Sequence, residues 1–297
     1  MEMLVHVFYF ICVDWLQNNK SEIMRFKRFL LPLFLMLSSL SIAQNDTVYY
    51  DTGDKYIGDQ VNGLCEGTGT MIWAEGDVYS GQWKQNVIHG KGKMEWINGD
   101  VYDGNWLNGK KSGYGIQIWS SGQSYEGYWL NDARHGQGTY HWADGENYIG
   151  EWKNGLMSGS GKYTWANGNF YTGTWANDSR NGKGAMTFYN GTKYYGDWKD
   201  GKQTGKGTMN YSNGDKYVGE WLDDKEHGKG KYWWASGDFY SGEWVDGIRT
   251  GKGKLIWANG NSYKGYFKNN LCDGVGKMKY ANGTTSKGLW ENNAFVQ

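Results

Sequence analysis

The sequence predicts an all-β protein: an elongated, single-layer, twisted antiparallel sheet of tandem β-hairpins, open and solenoid-like. Three observations predict it. A fixed 23-residue period runs through the chain, because Tyr56, Tyr79, Tyr102, Tyr125, Tyr148, Tyr171, Tyr194, Tyr217, Tyr240 and Tyr263 follow one another at that spacing without insertion. Each period carries two turn signals, with Asn or Asp beside Gly in most copies, and these cut it into two short strands. The composition fits no ordinary globular core: 297 residues contain 47 glycines, one proline, 18 tryptophans and 23 tyrosines, with long aliphatic side chains concentrated near the N-terminus. Burial in the repeats must therefore rest on aromatic rings.

The chain divides in order as follows. Residues 1–23 read as an upstream extension that need not be translated, because the features of a secretory leader begin only at Met24. Arg25, Lys27 and Arg28 form a basic head, Phe29 to Leu37 an apolar stretch, and Ser41 and Ala43 the small residues before a cut ahead of Gln44. The apolar stretch is short for a span, which needs roughly 20 apolar residues. Residues 24–43 are therefore read as a signal peptide and the mature protein as exported (periplasmic, cell-surface or secreted), with an uncleaved N-terminal anchor as the alternative. Residues 44–55 form a half-repeat, in which Tyr50 and Asp51-Thr52-Gly53 stand where a closing ring and its turn belong. Ten full repeats occupy 56–285, and 286–297 hold a truncated copy that caps the array.

Within a copy, offsets are counted from the leading Tyr as zero. Tyr148-Ile149-Gly150-Glu151-Trp152 precedes the turn Asn154-Gly155, then come Gly159-Ser160-Gly161, Tyr163, Trp165 and the turn Ala166-Asn167-Gly168. Strand alternation places offsets 0, 2 and 4 on one face and offsets 11, 13, 15 and 17 on one face of the second strand. Glycines and rings thus share a face, so each ring is expected to lie over bare backbone. The central rings are the candidate binding-face or structural residues. They are Tyr102, Tyr125, Tyr148, Tyr171, Tyr194 and Tyr217 at offset 0; Trp106, Trp129, Trp152, Trp175, Trp198 and Trp221 at offset 4; and Trp119, Trp142, Trp165 and Trp234 at offset 17. On the other face lysines recur at offsets 12 and 14 and acids at offset 3, which suggests cross-strand ion pairs rather than a phosphate-binding stripe.

This order of Tyr-x-Gly-x-Trp, Asn-Gly, Gly-x-Gly and Ala-Asn/Asp-Gly resembles the MORN repeat, the membrane occupation and recognition nexus, over Tyr56 to Trp290. The resemblance implies tandem hairpins in a long, twisted, grooved sheet, with roles as scaffolds, dimerisation modules or membrane-associated modules. Phe267 for Trp and Ser286 for Tyr depart from the pattern near the C-terminal end.

No motif points to catalysis. Cys12, Cys65 and Cys272 have neither disulfide-framework nor metal spacing. His89, His135 and His227 occupy one offset that other copies fill with Ser, Asn, Thr or Asp, which marks a tolerant polar position. Carboxylate pairs recur in every period, whereas an enzyme needs one distinguished site. Gly-Lys-Gly recurs without the context of a phosphate loop. With 31 basic and 31 acidic residues, no global charge draws the chain to nucleic acid. The expectation is a non-enzymatic, cofactor-free and metal-free binding scaffold whose partner is a protein. Membrane phospholipid, then carbohydrate bound through exposed rings, are the alternatives, and a homodimer is a further partner to test.

Overall fold

In the computed structural model the described residues are 46–296, so the extension, the leader and the cut after Ala43 lie outside them. The described chain forms one 23-stranded sheet in which each strand pairs antiparallel with its sequence neighbour, from Asp46–Tyr49 at one edge to Ala294–Phe295 at the other. The sheet is open and unclosed. Each repeat contributes a seven-residue first strand, such as Asn147–Lys153, and a nine-residue second strand, such as Leu156–Thr164.

The turns explain the tight hairpins. Asn154 and Gly155 both take left-handed φ, 52° and 83°, as do Asp223 and Asp224 at 47° and 67°. Two consecutive positive φ angles define the turn whose twist matches that of the strands, and Asn, Asp and Gly tolerate it best.

The tyrosine of each repeat lies on glycine. All ten leading tyrosines are fully buried, and each hydroxyl donates to the carbonyl of offset 3, as Tyr148 does to Glu151 at 3.0 Å. Gly150 and Gly161 stand opposite each other beneath that ring, and a Cβ on Gly161 would collide with the phenol. The expectation that rings cover glycines holds at offsets 2 and 13. It needs refinement at offset 11. Gly159 takes φ 58° in a bulge where Glu151 pairs with Ser158 while Gly150 pairs with Gly161, and the Ser160 N–H donates to the Glu151 carboxylate at 2.9 Å. That glycine makes the bulge rather than bedding a ring.

The offset-4 indoles join one repeat to the next. Trp152 meets its own Tyr148 at 5.1 Å and the preceding Tyr125 at 5.6 Å, both nearly perpendicular. Such edge-to-face contacts continue from Tyr56–Trp83 to Tyr263–Trp290. The indole N–H also donates to the offset-13 glycine carbonyl of the preceding repeat, at 3.0 Å for Trp83, 3.2 Å for Trp152 and 3.3 Å for Trp198. The buried Nε1 atoms of Trp221, Trp244 and Trp290 have no partner. Backbone staples complete each joint: Gly155 N–H donates to Arg134 O at 2.9 Å, and Ala235 N–H to the Asp215 carboxylate at 2.8 Å.

The expected ladder of ion pairs does not form, and three of the five offset-3 acids are used differently. Glu151, Asp59 and Asp197 accept bulge backbone N–H groups, and of the lysine-to-offset-3 contacts only Lys183–Asp197, at 2.5 Å, is an ion pair among the described residues. Asp197 does both, with one oxygen accepting the Lys206 N–H and the other meeting Lys183, so bulge bonding and ion pairing are compatible at one carboxylate.

The difference between bonded and unbonded indoles gives a test. Trp175→Phe should cost about 1 kcal/mol more in denaturant unfolding than Trp244→Phe, because both lose similar ring area but only the first loses a hydrogen bond. Equal costs would show that the indole bond does not stabilise the joint.

Candidate functional site: the ring face and its basic side chains

The strands sort the sequence-predicted residues into two groups. Tyr102, Tyr125, Tyr148, Tyr171, Tyr194 and Tyr217 are 0% exposed, and Trp106, Trp129, Trp152, Trp175, Trp198 and Trp221 are at most 6% exposed. Rings so enclosed hold the sheet together and offer a partner no surface. Trp119, Trp142, Trp165 and Trp234 follow the second strands directly and stay half-buried, stacked at a tilt on offset-15 rings. Trp142 lies 4.5 Å from Tyr140 and 5.1 Å from Tyr163, and Trp234 lies 4.5 Å from Tyr232. These four are the accessible members of the sequence-selected set, and Trp73, Trp96, Phe188, Tyr211 and Trp257 at the same offset are likewise only partly buried.

Offset 9 was not legible as a site. It holds Cys65, Ile88, Lys111, Arg134, Met157, Arg180, Gln203, Glu226, Arg249 and Cys272, and this variability hid it from a search for repeated types. The bulge places it opposite the offset-4 ring, as Met157 faces Trp152 and Arg134 faces Trp129. Its cations therefore sit among aromatics. Lys111 Nζ lies 4.8 Å from the Trp96 ring centre and 5.0 Å from that of Trp129, Arg134 lies 4.3 Å from Trp152, Arg180 4.3 Å from Trp198, and Arg249 5.3 Å from Trp234. The arginines also cap the next turn, with Arg134 donating to Gly155 O at 2.8 Å and Arg249 to Asn270 O at 2.9 Å. Glu226 reverses the sign and accepts from Tyr211 at 2.7 Å.

Burial shapes the chemistry of these groups. Desolvation pushes the Lys111 ammonium down to about 8, although Asp132 and Asp100 act the other way. Gln117, 1% exposed, receives a hydrogen bond from it. Burial likewise pushes the Cys272 thiol up to about 11, so it stays a thiol at neutral pH. Cys65 and Cys272 are both buried and free. Among the described residues no group of His, Cys, Asp and Glu is placed to hold a metal. A depression of about 420 Å³ near the C-terminal end is lined by Trp234, Arg249, Trp257, Cys272 and Met278.

The MORN-repeat pattern matches ten consecutive segments: 56–78, 79–101, 102–124, 125–146, 148–170, 171–193, 194–216, 217–239, 240–262 and 263–285. The chain belongs to the MORN-repeat family. MORN repeats are associated with interaction with proteins or membranes. No curated protein matches the chain. Among solved structures, the TCP10 domain of Danio rerio CPAP in complex with a peptide of STIL is 11% identical and covers 82% of this chain and 93% of its own, with a TM-score of 0.24. The Drosophila melanogaster SAS-4 (dCPAP) TCP domain in complex with a proline-rich motif of Ana2 is 12% identical, with 67% and 83% covered and a TM-score of 0.22. Virginiamycin B lyase from Staphylococcus aureus is 10% identical, with 82% and 83% covered and a TM-score of 0.15.

Lys111 supplies a pH signature for this MORN array. Its folded pKa, about 8, lies below the unconstrained 10.5, so the unfolded chain binds more protons between these values and stability should rise from pH 8 toward 9, above which the raised Cys272 thiol acts in the opposite direction. Above the ordinary tyrosine value of 10.0 the buried tyrosines, whose pKa values burial raises, act in the opposite direction. Lys111→Met, which installs the residue that repeat 5 carries as Met157, should abolish the rise. Identical pH profiles for the two proteins would reject a desolvated charge at Lys111.

Proposed function

We propose that this MORN protein is a non-catalytic binding scaffold that recognises a protein segment along its ring face and works after export. The observation that carries the reading is the row of half-buried Trp119, Trp142 and Trp165 beside the basic Lys111, Arg134 and Arg180 on one face. Rigid aromatic rings and arginine are the side chains that most often dominate protein recognition. A partner strand or helix with acidic and apolar residues would match this surface. Recurrence of the same groups in successive repeats supports avidity over several weak contacts rather than turnover at one site.

Export rests on the basic, apolar and small-residue order of residues 24–43. Sequencing the N-terminus of the protein recovered from its native host tests it, with Gln44 as the expected first residue. A retained leader would replace secretion with anchoring.

Selection of peptides from a displayed library against the full chain, followed by titration, tests the binding reading. Trp142→Ala with Trp165→Ala should weaken selected peptides by about tenfold or more, the scale of an interface anchor worth over 1 kcal/mol each. Arg180→Ala should weaken acidic peptides more than neutral ones. Peptide binding that ignores all three substitutions, or flotation with phosphatidylcholine vesicles in place of peptide binding, would contradict it.

A further inference from the structure

The face opposite the rings carries a second, unassigned feature in the last repeats. The strands Ile248–Ile256, Ser262–Lys268, Leu271–Lys279 and Thr285–Glu291 are consecutive neighbours. Their register sets Lys254 opposite Lys264, Lys264 opposite Lys277, and Lys277 opposite Lys287. Four exposed lysines therefore run straight across four strands. Lys252 and Lys279 flank the row on the same four strands, and both are exposed. The carboxylates within these strands and the one before them are Glu243 on the preceding strand and Asp273 and Glu291 toward the hairpin ends. Among the described residues the ion pairs are Lys93–Glu95, Lys183–Asp197, Lys202–Asp223 and His227–Asp246, none of which involves these lysines.

The fold does not require lysine here. The same row earlier in the sheet reads Thr139–Ile149, Thr172–Ala185 and Thr208–Val218 in neighbouring pairs, and where Lys93 appears it faces Asp103. Like charges directly opposite on a sheet are unfavourable, by up to about 1 kcal/mol per pair at a solvated surface. A run of three such pairs in repeats 9 to 11, and in no earlier stretch of the row, calls for an anion that offsets the repulsion.

We infer that this lysine ladder binds a linear acidic polysaccharide, laid across the strands with successive carboxylates or sulfates meeting successive lysines. Spacing argues for this class. Neighbouring strands are about 4.8 Å apart, so the ladder presents a charge at each such step over about 14 Å. A polyuronate advances by roughly this step per pyranose ring and carries one carboxylate on each, and its glycosidic torsions can turn successive carboxylates toward the ladder. An extended acidic peptide presents same-face side chains only every 6.6–6.8 Å or so and falls out of step. A bilayer is flat, whereas four strands rotate by roughly 60–75° in total, which turns part of the ladder away from a plane. Single-stranded nucleic acid is held by stacking successive bases on rings, and within these strands Tyr266 is the lone exposed ring among the described residues. That ring suits the face of one sugar. A shallow depression of about 440 Å³ beside it is lined by Lys252, Lys254, Lys264 and Tyr266, with bare backbone at Gly253 and Gly265.

The test titrates the full chain with oligogalacturonates of increasing length. Binding should strengthen with length until the oligomer spans the ladder, weaken as salt rises, and fall at least about tenfold in Lys264→Thr with Lys277→Thr. Threonine already occupies this row at Thr139 and Thr172, so the variant should keep its tryptophan fluorescence and unfolding midpoint. Lys93→Thr with Lys162→Thr, changed on the same face elsewhere, should leave binding intact. Equal binding of a neutral oligosaccharide would overturn the inference. So would undiminished uronate binding by the ladder variant, or ladder-dependent binding of phosphatidylserine vesicles or oligothymidylate with none of the uronate.

Discussion

The packing of one phenol ring against two glycines within each hairpin is the constraint on which the rest of the sheet depends. Tyr148 can be fully buried in a single-layer sheet only because Gly150 and Gly161 leave a trough deep enough for the ring. The same trough brings the backbones close, since a Cβ on Gly150 would stand 2.5 Å from the Gly161 Cα. Glycine normally weakens a strand through its conformational freedom and lack of side-chain contacts. Here the ring supplies the missing contacts, and its hydroxyl, bonded to the Glu151 carbonyl, fixes it in the trough. Loss of the ring or of the bare backbone therefore removes the same interaction from opposite sides.

From this unit the array follows by repetition. Each indole bridges two tyrosines, its own and the preceding one, so every repeat touches only its neighbours and stability spreads along one dimension. The joints are not uniform. Indole hydrogen bonds are present from Trp83 to Trp198 and absent at Trp221, Trp244 and Trp290, while Phe267 has no indole nitrogen to offer. The C-terminal repeats rely more on ring contact alone, and they are the repeats whose outer face bears the lysine ladder. Consolidating the core on recurring rings leaves offsets 1, 9, 12 and 14 free to vary, and both binding proposals draw on residues at those offsets, the first together with the offset-17 rings.

The fold was legible because its determinants are periodic and local. Constant spacing of Tyr and Gly gave the hairpins, and alternation gave the shared face. The bulge at Gly159 was less visible, because strand alternation treats an extra left-handed residue like any other glycine. Missing it concealed why Glu151 turns to backbone and why offset 9 faces a ring. Of the sequence-selected rings, offsets 0 and 4 prove enclosed, and the accessible chemistry belongs to Trp119, Trp142, Trp165 and Trp234 with Lys111, Arg134, Arg180 and Arg249. Sequence patterning found the recurring rings, and it passed over the variable residues beside them. The lysine ladder was similarly hidden, since Lys254, Lys264, Lys277 and Lys287 become neighbours only through register.

The central claim concerns coupling between ring and glycine, which a double-mutant cycle at Tyr148 and Gly161 measures directly. Local stability of repeat 5 is read by amide hydrogen exchange in strands Asn147–Lys153 and Leu156–Thr164 for the parent, Gly161→Ala, Tyr148→Ala and the double variant. Gly161 does not need a left-handed φ, so alanine is penalised there by collision rather than by backbone strain. The account predicts a loss of about 2 kcal/mol or more for Gly161→Ala beside Tyr148, and little further loss once Tyr148 is alanine. A Gly161→Ala penalty that is the same with and without the ring would contradict it.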